Sequence, residues 1–440
     1  MWSRQIGEKM NVSIPLYPNE HFYVITEPMK DLPKNLPVLR DYNNCLYLKE
    51  DAGKMLVGIF EPNAKPAFKN TGVVPDDFSF GELPDDFDHF EPYLQKSFHR
   101  LPMLENAGIR KFFSGPESFT PDTQYLLGET PEIKKLFTCC GFNSIGIASS
   151  GGAGRVTAEW MINGHINEDL FSLDIKRFQK FHSSKKFIME RVTETLGDLY
   201  GMHWPFKQHK TSRNQIVLPY QEELKKLGAC FGTSGGFERP MWYALKGEKA
   251  DYNYSFGYQN WYPSAEHETK NARENVGLFE LSPFSKFDLE GQNVHEELQK
   301  ICTANIKDVE GRATYTQMLN EDGGIETDVT VTCLEKNQFR VIGPAATREH
   351  DKFHIKKHIS EEVNFRDVTE NITCLGLYGP NSRKLLSNIS NDDFTNEGIK
   401  FSHGKFVTID GVKVWAQRLS YVGEIGFELY TNINESKKLF

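Results

Sequence analysis

Residues 139–164 read C-C-G-F-N-S-I-G-I-A-S-S-G-G-A-G-R-V-T-A-E-W-M-I-N-G, and no other stretch limits the fold so sharply. The apolar run 136–140 before it predicts a short buried strand, and 141–154 predicts a glycine-rich turn. From about Gly152 the spacing of Val156, Ala158, Trp160, Met161 and Ile162 predicts a helix, with Gly164 as its stop. A strand, such a turn and a helix N-terminus together form a pocket for an anion or a developing negative charge. The first-turn N–H groups have no partner inside the helix, and the dipole adds roughly half a positive charge there. Gly151, Gly152 and Gly154 leave the backbone open to a flat ligand. The plainer reading is a tight connection and nothing more, and spacing alone favours it. The order also differs from the dinucleotide fingerprint, which opens a βαβ unit and is followed about 20 residues on by an acidic residue.

At 440 residues the chain has room for two or three domains. A net charge of −9 without a basic stripe argues against nucleic acid as a partner, and no run of about 18 apolar residues predicts a membrane span. The seven cysteines, at 45, 139, 140, 230, 302, 333 and 374, include no C-x-x-C pair. An odd, scattered set predicts reduced thiols rather than a disulfide framework, and no metal site is expected. The opening M-W-S-R-Q-I-G-E-K-M lacks the apolar core of a signal peptide and the Arg- and Ser-rich character of a transit peptide. It reads as the middle of a helix, and 435–440 as an interrupted helix start, so truncation at both ends is the expectation.

Segments 14–26, 38–40, 45–49 and 55–60 read as short strands between Pro, Asn, Asp and Gly, the spacing of an antiparallel sheet. An acidic, aromatic loop is expected at 78–88, a helix at 90–104, a strand at 109–114 and a rigid, proline-bracketed loop at 115–122. His21 and Tyr23 alternate on the first strand and so share a face. A connector from 169 to about 246 carries helices at 181–200 and 219–227, then a glycine-rich stretch at 230–242 in which Glu238 and Arg239 are expected to form a structural ion pair. From about Tyr254 helices at 266–276, 294–302, 345–358 and 381–386 alternate with strands at 276–289 (two, around Pro283), 314–319, 324–331, 339–342, 373–379, 401–409 and 412–419. This is an α+β pattern with mixed strands.

The phrases N-E-H-F-Y-V-I-T-E-P, P-V-L-R-D, G-I-F-E-P-N, G-P-E-S-F-T-P-D-T-Q-Y-L-L-G-E and G-F-N-S-I-G-I-A-S-S-G-G-A-G jointly resemble the dimethylglycine and sarcosine dehydrogenase family. Two later phrases, M-L-N-E-D-G-G-I-E-T-D (318–328) and S-Y-V-G-E-I-G-F-E-L-Y (420–430), resemble the folate-binding T-protein of the glycine cleavage system, which forms the C-terminal half of those enzymes. The resemblance implies a mixed α+β / α/β fold. Residues 1–175 would be the substrate half of a D-amino-acid-oxidase-like flavin domain with its flavin-contacting helix, 176–250 a connector, and 251–440 part of a T-protein-like folate-binding domain. It also implies that the FAD fingerprint and the end of the folate domain lie outside this chain.

By the same resemblance the cofactors are FAD and tetrahydrofolate. Gly141, Phe142, Asn143, Ser144, Gly146, Gly151, Gly152 and Gly154 line the flavin, with His21 and Tyr23 as catalytic residues over it and Arg40 as the clamp on a substrate carboxylate. Asp328 stands near folate N5 and N10, and Tyr421 and Glu428 stand at the pterin. The chemistry agrees. A histidine or tyrosine can hold an amine neutral for hydride loss, a carboxylate can accept two hydrogen bonds from a 2-amino-4-oxo-pterin, and one near N10 can manage protons. The plainer alternatives are a satisfied histidine on a buried strand face, an Arg40–Asp41 salt bridge, a solvated strand end for Asp328, an exposed strand position for Glu428, and loop rigidity alone for Glu117 and Asp122. The implied activity is FAD-dependent oxidative demethylation of dimethylglycine or sarcosine, with the one-carbon unit passed to tetrahydrofolate. Electrons would go to an electron-transfer flavoprotein or to oxygen, in the mitochondrial matrix of a eukaryote or the cytoplasm of a bacterium. A second reading shares these motifs: a non-catalytic protein like the regulatory subunit of pyruvate dehydrogenase phosphatase, which E-H-F-Y, S-F-T-P-D and G-F-E-R-P resemble too.

Overall fold

The computed structural model describes residues 1–440, which divide into two units: Met1–His203 with His209–Ser212, and Trp204–Gln208 with Arg213–Phe440. In the first unit α1 (Ser3–Lys9) precedes β1 (Tyr17–Thr26), β2 (Leu39–Asp41), β3 (Leu46–Asp51), β4 (Lys54–Ile59), α2 (Phe87–Arg100) and β5 (Ile109–Phe119). The strands form one antiparallel sheet in the order β2-β3-β4-β1-β5. Alternation sends Phe22, Val24, Leu46, Leu48, Val57 and Ile59 to one face, where Phe90 and Leu94 of α2 cover them. His21 and Tyr23 are left on the other.

β5 corrects one expectation. It does not stop at Ser114 but pairs with β1 through Gly115, Pro116, Glu117 and Ser118 to Phe119. Pro116 is tolerated because β5 is an edge strand, where a missing N–H costs no ladder bond. Glu117 is thereby carried on the sheet, not in a loop.

The glycine-rich stretch corrects two more. β6 (Leu126–Glu129) and β7 (Phe137–Cys140) form a two-stranded sheet, so β7 is only partly buried and Cys139 is exposed. The following helix, α3 (Gly146–Asn163), begins six residues earlier than Gly152 would imply. Only 141–145 is turn, with positive φ at Gly141 (69°), Asn143 (48°) and Ser144 (65°). Ala153, Val156 and Thr157 make the buried stripe, whereas Ala158, Met161 and Ile162 face out. Gly164 ends the helix in the left-handed region as expected. Further on, α4 (Lys185–Gly197) packs Ile188, Val192 and Leu196 against Tyr17, Phe60 and Phe119.

The second unit opens with α5 (Gln221–Lys226), β8 (Ala229–Ser234) and β9 (Phe237–Tyr243). The 230–242 stretch is a β-hairpin turned by Gly235 and Gly236, both at positive φ, as a tight two-residue turn demands. Glu238 pairs with Arg213 rather than Arg239, because successive strand residues point to opposite faces.

The elements that follow are α6 (Tyr262–Glu274), β10 (Gly277–Glu280), β11 (Ser285–Glu290), α7 (Val294–Ile301), β12 (Ala313–Leu319), β13 (Ile325–Glu335), β14 (Gln338–Gly343), α8 (Arg348–His358), β15 (Asn364–Asp367), β16 (Ile372–Tyr378), α9 (Ser382–Ile389), β17 (Gly404–Ile409), β18 (Val412–Gln417), β19 (Gly426–Asn432) and α10 (Ile433–Leu439). They build two five-stranded sheets, β12-β13-β14-β11-β15 and β10-β16-β19-β18-β17. Every ladder is antiparallel rather than mixed. In the second of these sheets Leu375, Leu377, Val414, Phe427 and Leu429 feed the main core. The opposite face carries Cys374, Trp415 and Tyr430, packed on Ile342 of the first. β19 is therefore covered on both sides. All seven cysteines are free, and no helix is long and apolar enough to cross a membrane.

Candidate functional site

Register aligns one row across the sheet of the first unit. Arg40 is opposite Tyr47, Tyr47 opposite Gly58, Gly58 opposite Tyr23, and Tyr23 opposite Phe113. Residues paired in this way share a face, the one that carries His21. Gly58 is required here: a Cβ would sit 2.0 Å from Tyr47 Cζ, so the tyrosine ring crosses over the glycine. Its hydroxyl then lies 2.8 Å from His21 Nε2, with the two rings parallel and 5.8 Å apart. Phe60 closes on both rings at 4.8 and 5.5 Å, and Tyr23 stacks on Phe113 at 4.5 Å. Burial holds His21 down to about 4 and pushes Tyr47 up, so both are neutral near pH 7.

Arg40 is not brought to His21. It is exposed on the edge strand, three ladders from Tyr23, which at strand spacing is about 14 Å. Nor does it pair with Asp41, whose carboxylate faces the other way and takes Arg100 Nε at 2.6 Å.

The turn before α3 is tied to this sheet. Ser144 Oγ donates to Glu117 at 2.5 Å, and burial raises the Glu117 pKa. Phe142 stacks on Tyr125, and the Asn143 side-chain carbonyl accepts from Thr120 N–H at 2.9 Å, so these two brace the turn from within. The N-cap, Ile145, gives no side-chain cap, which leaves the first N–H groups of α3 without a partner in the helix. Gly151, Gly152 and Gly154 lie inside α3, and a Cβ on any of them would meet nothing within 4 Å. Packing within the chain does not demand glycine there, although each costs about 0.5–1 kcal/mol in a helix. An uncapped N-terminus and a bare glycine surface fit a flat ring that gains negative charge.

In the second unit Gln317 is opposite Asp328, and the diagonal neighbour Tyr315 donates its hydroxyl to Asp328 Oδ2 at 2.8 Å. Both rim a cavity of about 300 Å³ with Gln317, Glu326, Pro344 and Thr347. Asp328 is exposed, while Glu326 on the same face is gripped by His350 Nε2 at 2.9 Å and Asn320 Nδ2 at 3.1 Å. The His350 contact pulls Glu326 down to about 2.

Glu428 does not take the exposed strand position of the plainer alternative. It is 4% exposed on β19, between β16 and β18. Tyr430 donates to its Oε2 at 2.5 Å and Tyr378 to its Oε1 at 3.4 Å. Burial raises its pKa against the pull of both hydroxyls. Tyr421 is largely exposed, and partial burial, then the Asp328 and Glu428 carboxylates, push its pKa up.

Sequence reasoning missed Tyr47, Tyr315, Tyr378 and Tyr430. Tyr430 had a signal, since two residues after Glu428 it must share that face. Tyr47 had none, because its partner is 26 residues away and meets it only through the sheet.

Three family profiles match the chain: FAD dependent oxidoreductase over residues 1–160, FAD dependent oxidoreductase central domain over 163–217, and GCVT N-terminal domain over 220–440. The chain is 38% identical over 431 residues to a 4-methylaminobutanoate oxidase (formaldehyde-forming) of Paenarthrobacter nicotinovorans, covering 98% of this chain and 52% of that protein. It is 32% identical over 472 residues to mitochondrial sarcosine dehydrogenase of Mus musculus, covering 98% and 51%. It is also 32% identical over 445 residues to the mitochondrial pyruvate dehydrogenase phosphatase regulatory subunit of Mus musculus, covering 98% and 50%. The chain thus spans about half the length of the curated relatives it matches.

Proposed function

The chain belongs to the dimethylglycine and sarcosine dehydrogenase family of FAD-dependent oxidoreductases, and from that premise we propose that the protein oxidises the N-methyl group of a small amino acid in its first unit and hands the released carbon to tetrahydrofolate in its second. The observation that carries this reading is the opposite character of the two residue sets: neutral and aromatic around His21, carboxylate around Asp328 and Glu428.

FAD, when bound at the α3 turn, would supply the hydride acceptor. The uncharged face of His21, Tyr47 and Phe60 would take the substrate as its neutral amine, the ammonium proton leaving to solvent, so that the lone pair is free. Phe60, Tyr23 and Phe113 keep water from the reacting carbon. The uncapped N–H groups of α3 stabilise negative charge as it develops.

In the second unit tetrahydrofolate, when bound, would supply the nitrogens that capture the carbon. Asp328, oriented by Tyr315 at the cavity rim, would move the proton, and Glu428 and Tyr421 would hold the pterin, Glu428 by accepting from its N–H edge.

A second reading is a non-catalytic regulatory subunit, favoured by 32% identity to such a protein over nearly the whole chain. The visible spectrum of the flavin-loaded protein separates the two. Dimethylglycine, sarcosine and 4-methylaminobutanoate are added in turn without oxygen. Bleaching by any of them supports the dehydrogenase and ranks the substrates. A band unchanged by all three favours the regulatory reading.

A further inference from the structure

Glu428 is a buried carboxylate whose partners are hydroxyls. The Gln417 amide opposite it on β18 is occupied elsewhere: its carbonyl accepts from Trp415 Nε1 at 2.9 Å, and its nitrogen donates to Thr332 Oγ1 at 3.0 Å. Lys286 on β11, the most deeply buried cation of this unit, donates to the backbone carbonyls of Ser282 and Phe284 at 2.8 and 2.7 Å, while the buried Arg340 and Arg348 pair with Asp288 and Asp367. The other titratable groups facing Glu428 are the Cys374 thiol and Tyr378 on β16, Tyr430 on β19 itself, and Tyr421 ahead of β19.

The geometry around the carboxylate is built for a purpose. Gly376 is directly opposite Glu428 in register, and a Cβ there would sit 2.5 Å from Tyr378 Cε2. A Cβ on Gly426 would sit 2.3 Å from Tyr378 Cδ1. Two glycines therefore make the bed on which the Tyr378 ring lies, and that placement aims its hydroxyl at Oε1. Tyr430 reaches Oε2 from the same strand face. One donor takes each oxygen. A carboxylate has about four acceptor positions, so one remains free on each oxygen.

We propose that Tyr378 and Tyr430 clamp Glu428, with Tyr430 as the main positioning residue, so that its two remaining acceptor positions select a flat ring edge that presents two N–H donors. A ring edge with an acceptor in either place meets a lone pair and is refused. The identity of the ring rests on the folate reading, but the clamp is a property of this chain alone.

The test uses the 440-residue chain carrying ¹³C at the glutamate carboxyls. The Glu428 signal is assigned by its loss in Glu428→Gln. Its titration midpoint should lie above the ordinary glutamate range, and Tyr430→Phe should raise it by about one further pH unit, Tyr378→Phe by less. In parallel, folinic acid binding is measured by calorimetry from acid to neutral pH. Affinity should fall on the acid side at the same midpoint, and Tyr430→Phe should shift that midpoint upward and weaken binding about tenfold at neutral pH. A carboxyl midpoint unmoved in Tyr430→Phe, with the fold intact by thermal melting, overturns the clamp whatever folinic acid does. A midpoint that moves while folinic acid fails to bind upholds the clamp and overturns the folate reading. If Tyr430→Phe does not fold, Tyr378→Phe decides the same question.

Discussion

Each unit lays a tyrosine across a glycine and uses the hydroxyl to hold a second side chain, yet the two hydroxyls end in opposite settings. Tyr47 crosses Gly58 and meets His21, which burial keeps neutral. Tyr378 lies over Gly376 and meets Glu428, an acid whose ionised form the hydroxyls support against burial. The steric device is the same and the chemistry differs. In the first unit the tyrosine holds a histidine that burial keeps uncharged on a face of aromatic rings, which under the proposed function suits hydride loss from an amine. In the second it orients the oxygens of a carboxylate in a covered sheet, which under the proposed function suits recognition of N–H donors.

Truncating the first tyrosine should have the largest effect. Tyr47→Ala removes a ring packed on His21 and Phe60 and is expected to cost about 3 kcal/mol, seen as a lower melting temperature, with Tyr47→Phe far milder. The glycines come next. Gly58→Ala and Gly376→Ala place a Cβ 2.0 and 2.5 Å from a tyrosine ring carbon, and each should cost about 1–3 kcal/mol. If the rings are the obstacle, the loss at Gly58 shrinks in a Tyr47→Ala background; simple additivity in that double-mutant cycle would break the parallel between the units.

Smaller effects appear with pH, and the two units should respond in opposite directions. His21 is depressed from 6.5 to about 4, so its contribution to stability is full above 6.5 and lost as pH falls through that window. Glu428 is raised, so its contribution is full below the usual glutamate value and lost as pH rises through the raised one. Denaturant unfolding of His21→Gln and Glu428→Gln across pH isolates each contribution, and a common sign would contradict the contrast. The least change is expected from Tyr315→Phe. Its bond to Asp328 is exposed and should leave the melting temperature almost unchanged, while slowing one-carbon capture.

The first sheet was legible because its strands alternate cleanly between turn residues, and alternation alone put His21 and Tyr23 on one face. The start of α3 was not. Glycines read as a turn, but on the exposed side of a helix they cost only propensity, so the helix runs back to Gly146. The length of β5 hid behind Pro116, which ends central strands but not edge strands. Glu428 could not be read as buried, because a single strand does not say that both its faces are covered. The Glu238–Arg213 pair joins residues 25 apart, and only the fold brings them together. The motif phrases drew attention to Asp328 and Glu428, and packing then supplied the tyrosines that orient them.

The division of labour is tested most directly by one anaerobic experiment on the flavin-loaded protein, in which flavin bleaching and the fate of the methyl carbon are followed together in wild type and Asp328→Ala. The account expects the same bleaching rate in both, with the carbon recovered on folate in wild type and released as free formaldehyde in Asp328→Ala. A parallel fall in bleaching and in carbon transfer would contradict it, because the two residue sets would then be acting as one site.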